Sequence, residues 1–126
     1  MEHNAEELDN YFDQSILDYK EGSSQLEKYL PETVKGYYKF TEGSFEPGAV
    51  SQKHKQLMAL GISIYAQDEY CIIYHAKGAV EQGANEEELM ETIAVSAALG
   101  GGAAYSQGVT LAMDAFYFYQ DKKSNK

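Results

Sequence analysis

Three punctuation marks between Ser51 and Gly100 constrain this chain more than anything else in it. Gln67-Asp68, Gly83 and Asn85 each mark a place where an α-helix starts or stops. Asp68 reads as the N-cap of a helix running to about Gln82, and Gly83 as the residue that closes it. Asn85 opens the next helix. Glu88, three residues on, completes a capping-box-like pair, with Asn standing where Ser or Thr is usual. Glu86 to Glu88 fill a first turn that the helix dipole favours; a solvated turn explains them, and no metal-ligand role is assigned. The helix opened by Ser51 is apolar nearly all round after Gln56, through Leu57, Met58, Leu60, Ile62, Ile64 and Tyr65. Such a helix is expected to be central and buried on most sides.

The flanks follow the same periodicity. Residues 5–21 place Leu8, Tyr11, Phe12, Ser15 and Tyr19 at helical spacing, with Asn4 as the cap and Gly22-Ser23-Ser24 as the stop. Gln25 to Leu30 reads as a turn. Pro31 opens a second helix at its first position, and Val34, Tyr37, Tyr38 and Phe40 give it an aromatic face. Gly43 to Gly48 reads as a loop. Gly100-Gly101-Gly102 is a break or a close approach of backbones, and a last helix runs from about Ala103 to Gln120 before a Lys-rich tail. No hairpin signal or internal repeat interrupts this pattern. The expected fold class is all-α, with about six helices.

Composition narrows the function classes. The 126 residues suit one domain, and no apolar run is long enough to span a bilayer. The net charge is −10 and every basic residue is Lys, which argues against a nucleic-acid partner and removes the bidentate clamp used for carboxylates. A single Cys allows no internal disulfide, and the start Met1-Glu2-His3-Asn4 lacks the features of a signal peptide, so a cytoplasmic location is expected. Eleven Tyr without Trp suit either a pocket or interface lining or the wet edge of a small core.

The one cysteine, Cys71, and one of three histidines, His75, lie four residues apart, on one face of the expected helix. Cys71 sits in the first turn, where the dipole and a nearby imidazolium would make a thiol more acidic. Taken alone, a lone Cys and a lone His more often pack than react. Asp68, if ionised, would oppose the dipole by raising the thiol pKa. A metal held by Asp68, Cys71 and His75 is the weaker reading, because three ligands on one helix rarely converge without help from another element. No cofactor is expected.

The segment from Lys55-Gln56-Leu57-Met58-Ala59-Leu60 through Glu69-Tyr70-Cys71-Ile72-Ile73-Tyr74-His75 to Asn85-Glu86-Glu87-Glu88-Leu89 resembles the carboxymuconolactone decarboxylase family, which includes the alkylhydroperoxidase D proteins. The likeness covers about residues 51–116, as a single family-type domain over 1–126 with a helical N-terminal extension over 1–50. It implies a helical hairpin at the core and a homo-oligomer, a trimer or hexamer. The peroxidase members carry a Cys-x-x-Cys-x-x-x-His helix and a glutamate twelve residues before its first Cys, which relays protons together with the histidine. Cys71 matches the second Cys and His75 the histidine, whereas Asp68 stands at the first Cys and Gln56 at the glutamate.

The resemblance implies three functions. One is a thiol-dependent peroxidase with Cys71 as nucleophile, His75 as base, and an external thiol as reductant in place of the missing dithiol. A second is a lyase or decarboxylase in which His75 alone is the acid–base group and Tyr70 or Tyr74 orients a small-molecule substrate. The third is a non-catalytic oligomeric binding protein, favoured by Gln56 and Asp68. Cys71 and His75 are expected to face a common pocket lined by tyrosines.

Overall fold

The computed structural model describes residues 5–125, with side chains from Tyr11 onward. All its elements are helical and none of the described residues forms a strand. The chain divides into two compact units, residues 1–51 and 52–126.

The first unit holds α1 (Ala5–Tyr29) and α2 (Pro31–Phe45), joined at Leu30. The α1 helix runs straight through Gly22-Ser23-Ser24, where a stop was expected. A mid-helix Gly costs only about 1 kcal/mol against Ala, and the helical bonding carries on to Leu30 N–H, which donates to Leu26 O at 2.9 Å. Pro31 opens α2 as expected. The helix also outlasts Gly43 and ends at Phe45. Glu46 is extended (φ −63°, ψ 144°) because the ring of Pro47 disfavours the helical region for the residue before it. Phe12, Ile16 and Val34 are buried, and the hydroxyls of Ser23 and Tyr38 hydrogen-bond across α1 and α2. The expected cap at Asn4 lies outside the described residues.

The second unit is built around α4 (Glu69–Glu81), packed between α3 (Gln52–Ala66) and the C-terminal helix. Ile72, Ile73, Ala76 and Ala79 are fully buried, and each buried Ile contributes about 1.5–3 kcal/mol of hydrophobic stabilisation. The central helix is therefore α4, not α3. On α3, Leu57, Leu60 and Ile64 face inward, but Met58, Ile62 and Tyr65 stay 57%, 67% and 54% exposed.

The helix boundaries lie where the punctuation put them. Gln67 takes a left-handed φ of 58°, and Asp68 N–H returns to Ser63 O at 3.1 Å. Gly83 closes α4 with a φ of 88°, which a side chain would strain. Asn85 and Glu88 cap α5 (Glu86–Gly100) reciprocally, at 2.8 and 3.0 Å.

The triple glycine is both a break and a close approach. Gly101 (φ 75°) ends α5, and a Cβ on Gly100 would lie 2.8 Å from the Ala104 Cβ. Beyond it, α6 (Gly102–Gln107), a π-helical turn (Gly108–Ala112) and α7 (Met113–Ser124) run on without a break, giving six helical rods. The π turn begins where Gly108 lets this rod press on α5. The last helix takes in Lys122 and Lys123 of the expected Lys-rich tail. Its Lys123 Nζ donates to Val80 O at 3.0 Å, a cation at the negative end of α4.

A Cβ on Gly108 would lie 2.5 Å from Ile93 Cγ2, in a fully packed contact. Gly108→Ala is therefore expected to lose about 1–3 kcal/mol by overpacking. Gly102→Ala meets nothing within 4 Å and should be neutral or slightly stabilising. Urea unfolding followed by circular dichroism checks both; equal midpoints for the two variants would contradict this packing.

Candidate functional site

Asp68 does two things at the start of α4. As N-cap, its Oδ1 accepts from the Cys71 backbone N–H at 3.2 Å, which fixes the first turn. Its carboxylate also accepts the thiol hydrogen bond of Cys71. The thiol pKa is thereby pushed up to about 11, first by partial burial, then by this hydrogen bond, then by the charge of Asp68. The helix N-terminus favours the thiolate by only about 0.3–1 kcal/mol, less than one pKa unit, so it does not reverse the shift. The expected acidification of Cys71 is thus overridden, and at neutral pH the group is a thiol.

His75 lies one turn further along α4 and is half-buried. Its Nδ1 is 2.8 Å from Oε1 of Gln56 on α3. An amide oxygen only accepts, so Nδ1 carries the proton and donates it, which leaves the lone pair of a neutral ring on Nε2. Burial lowers the His75 pKa below its ordinary 6.5, and the Asp68 charge opposes this more weakly. The imidazole is accordingly neutral at neutral pH, with its orientation and tautomer set by Gln56.

Gly78 makes the Gln56 contact possible. It lies three residues beyond His75, and a Cβ there would overlap the Gln56 amide group. A glycine in a helix interior signals such a close approach, yet the spacing arguments gave Gly78 no role.

Tyr70 and Tyr74 stack along the same helix, centroids 5.7 Å apart and planes at 27°. Tyr74 meets the His75 ring edge-on at 5.3 Å. The four residues Gln56, Asp68, Cys71 and His75 thus gather at the α3–α4 hairpin, with an aromatic wall beside His75. A groove of about 800 Å³ lies elsewhere in this unit, between α3 and α5, and none of these four residues lines it. No group of three or more His, Cys, Asp or Glu among the described residues is placed to hold a metal ion. No helix there is long and apolar enough to cross a membrane.

The sequence profile of the carboxymuconolactone decarboxylase family matches residues 31–114, two thirds of the chain, and so reaches back through α2, beyond the likeness read from residue 51. The fold resembles a carboxymuconolactone decarboxylase family protein from Legionella pneumophila, with a TM-score of 0.83 and 26% identity over 88% of this chain and 98% of that one. It also resembles a family protein from Thermotoga maritima described as possibly involved in antioxidative response. There the TM-score is 0.69 and identity 22%, over 82% and 94% of the two chains, a likeness of fold alone. A Paracoccus denitrificans protein known as uncharacterized protein 4 in cox locus is 42% identical over 62 residues, which span 49% of this chain and 56% of that relative. The family's profile, its all-helical fold and the matching helical hairpin agree: the chain belongs to the carboxymuconolactone decarboxylase family.

Proposed function

We propose that this protein is a single-cysteine, thiol-dependent peroxidase acting on small hydroperoxides. The observation that carries the proposal is the Gln56–His75 hydrogen bond, which leaves a neutral imidazole with its basic nitrogen on Nε2, one helical turn from the only thiol. A resting thiolate is not part of this chemistry, given a Cys71 pKa of about 11. The proton must leave as the sulfur attacks; His75, kept unprotonated by its lowered pKa, is in the form that can take it, as a weaker base than an ordinary imidazole.

In the first step Cys71 Sγ attacks the terminal, hydroxyl-bearing oxygen of the hydroperoxide, breaking the O–O bond. The thiol proton leaves its hydrogen bond to Asp68 and passes through His75 Nε2 to the leaving alkoxide, and the products are an alcohol and a Cys71 sulfenic acid. With no second Cys in the chain, an external low-molecular-weight thiol condenses with the sulfenic acid, giving a mixed disulfide and water. A second thiol then releases Cys71 as the external disulfide forms. A reducing cytoplasm would supply such thiols. The description of the Thermotoga relative as possibly antioxidative supports the same direction.

The raised thiol pKa also favours a second reading, in which His75 alone performs acid–base chemistry on carbon, as a lyase, and Tyr70 and Tyr74 orient the substrate. Cys71→Ser separates the two. It abolishes a peroxidase and leaves a His-only lyase active.

Native alkylation of Cys71 should rise with pH through an ionisation at about 11. In Asp68→Asn, which keeps a capping side chain but removes the charge, that midpoint should move down toward the ordinary 9.0. A wild-type midpoint below neutrality would defeat the general-base account.

Oxidation of Cys71 by a small organic hydroperoxide, followed by mass spectrometry of the trapped sulfenic acid, tests the base. His75→Ala should slow it by about 10²-fold or more. Gln56→Ala should slow it less, by freeing the ring to adopt the other tautomer. Because the His75 pKa is lowered, the wild-type rate should hold as pH falls through 6.5 and drop only below it. Unchanged rates in both variants would refute the role given to His75.

A further inference from the structure

We propose that Asp68 makes the Cys71 site selective for small thiols that carry an ammonium group over those that carry a carboxylate. The inference rests on the peroxidase reading, because it names the class of reductant that resolves the Cys71 sulfenic acid. Asp68 is exposed, its Oδ1 lies 3.2 Å from the Cys71 backbone nitrogen, and its carboxylate accepts the thiol hydrogen bond. A molecule that reaches Sγ therefore meets this charge. Two unit charges about 4 Å apart in water change an equilibrium or a rate by roughly fivefold, and by more where water is partly excluded.

The surroundings reinforce the sign. Glu69, exposed in the same first turn, adds to the negative field. Burial keeps His75 neutral at neutral pH, so the ring brings no positive charge to the thiol. The chain has no Arg. Lys53 pairs with Glu88 at 2.9 Å, Lys77 lies over the Tyr119 ring at 5.7 Å, and Lys123 bonds Val80 O at 3.0 Å. The stacked Tyr70 and Tyr74 rings act in the same direction, since an aromatic face attracts a cation, and Tyr74 is 43% exposed.

The chemistry of the resolving step sharpens the selection. An external thiol attacks as its thiolate, so its sulfur brings a negative charge toward Asp68. An ammonium group on the same molecule cancels that charge, whereas a carboxylate doubles it. The thiolate sulfur bonds to the sulfenic sulfur of Cys71 and the S–O bond breaks. The departing hydroxide takes the proton that the thiol released, and leaves as water. The mixed disulfide has no S–H, so Asp68 loses the thiol donor it held in the reduced protein. The ammonium group of the attached aminothiol supplies a donor in its place. A second aminothiolate attacks the external sulfur, forming the symmetrical disulfide and returning Cys71 as a thiol once it is reprotonated.

Two permanently charged methanethiosulfonates, the 2-(trimethylammonium)ethyl and 2-sulfonatoethyl reagents, form mixed disulfides with Cys71 and need no peroxide. Their rates on the full chain, read by mass spectrometry, are compared between the wild type and Asp68→Asn, which keeps a capping side chain. The cationic-to-anionic rate ratio should be about tenfold higher in the wild type. Taking a ratio cancels the reagents' own reactivities and the change in thiol pKa. In the wild type alone, raising salt from about 0.01 M to about 1 M should lower the ratio, as the screening length falls from about 30 Å to about 3 Å. Equal ratios in the two proteins, or a wild-type ratio that salt leaves unchanged, would overturn the proposal. After oxidation by a small organic hydroperoxide, 2-aminoethanethiol should form its mixed disulfide faster than 3-mercaptopropionate, by a ratio that drops about tenfold in Asp68→Asn. A sulfenic acid resolved with the same ratio in both proteins removes this proposal and leaves the peroxidase reading. Charge-selective labelling without any sulfenic acid does the reverse: it supports the selectivity of the site and defeats the peroxidase reading.

Discussion

The 2.8 Å hydrogen bond between His75 and Gln56 joins the two helices on which the candidate site is built. It depends on an absence. Only glycine at position 78 leaves room for the Gln56 amide beside α4. With that amide seated, the imidazole has one orientation and one tautomer, and a half-buried ring loses its ordinary readiness to protonate. Packing and chemistry are one problem here, because the group that orients the base also fills space between α3 and α4.

Asp68 sets the other boundary condition. A capping residue at this position contributes about 0.5–2 kcal/mol to helix stability. The same carboxylate holds the thiol proton on Cys71, with burial as the larger cause. The chain thus pairs a thiol with a neutral imidazole, in place of a thiolate with an imidazolium. Sulfur reactivity then rests on proton transfer during attack, a slower regime than that of a standing thiolate. Gln56 sharpens the contrast, since an amide can direct a hydrogen bond but cannot relay a proton.

Much of this was legible in the residues. Asp68, Gly83 and the Asn85–Glu88 pair declared their helix ends because capping is local chemistry, and Cys71 and His75 shared a face because helical spacing is fixed. The Gly22-Ser23-Ser24 stretch misled because its weak intrinsic preference is overridden inside a 25-residue helix. The apolar periphery of α3 misled for a different reason: a sequence shows that Ile62 is apolar, not whether its own chain covers it. The rank of dipole against carboxylate at Cys71 was not legible either, because it depends on burial. Gln56 and His75 lie nineteen positions apart, and no spacing rule joins them. Gln56 entered through family resemblance, and Gly78, the residue that admits it, passed without a role.

The tautomer of His75 tests the account most directly. Long-range proton–nitrogen correlation spectra of the uniformly nitrogen-15-labelled protein, recorded from neutral pH downward, report which ring nitrogen carries the proton and when the second one binds. The expected ring is neutral and protonated at Nδ1, converting to imidazolium only below pH 6.5. An imidazolium at neutral pH, or a neutral ring protonated at Nε2, would contradict it.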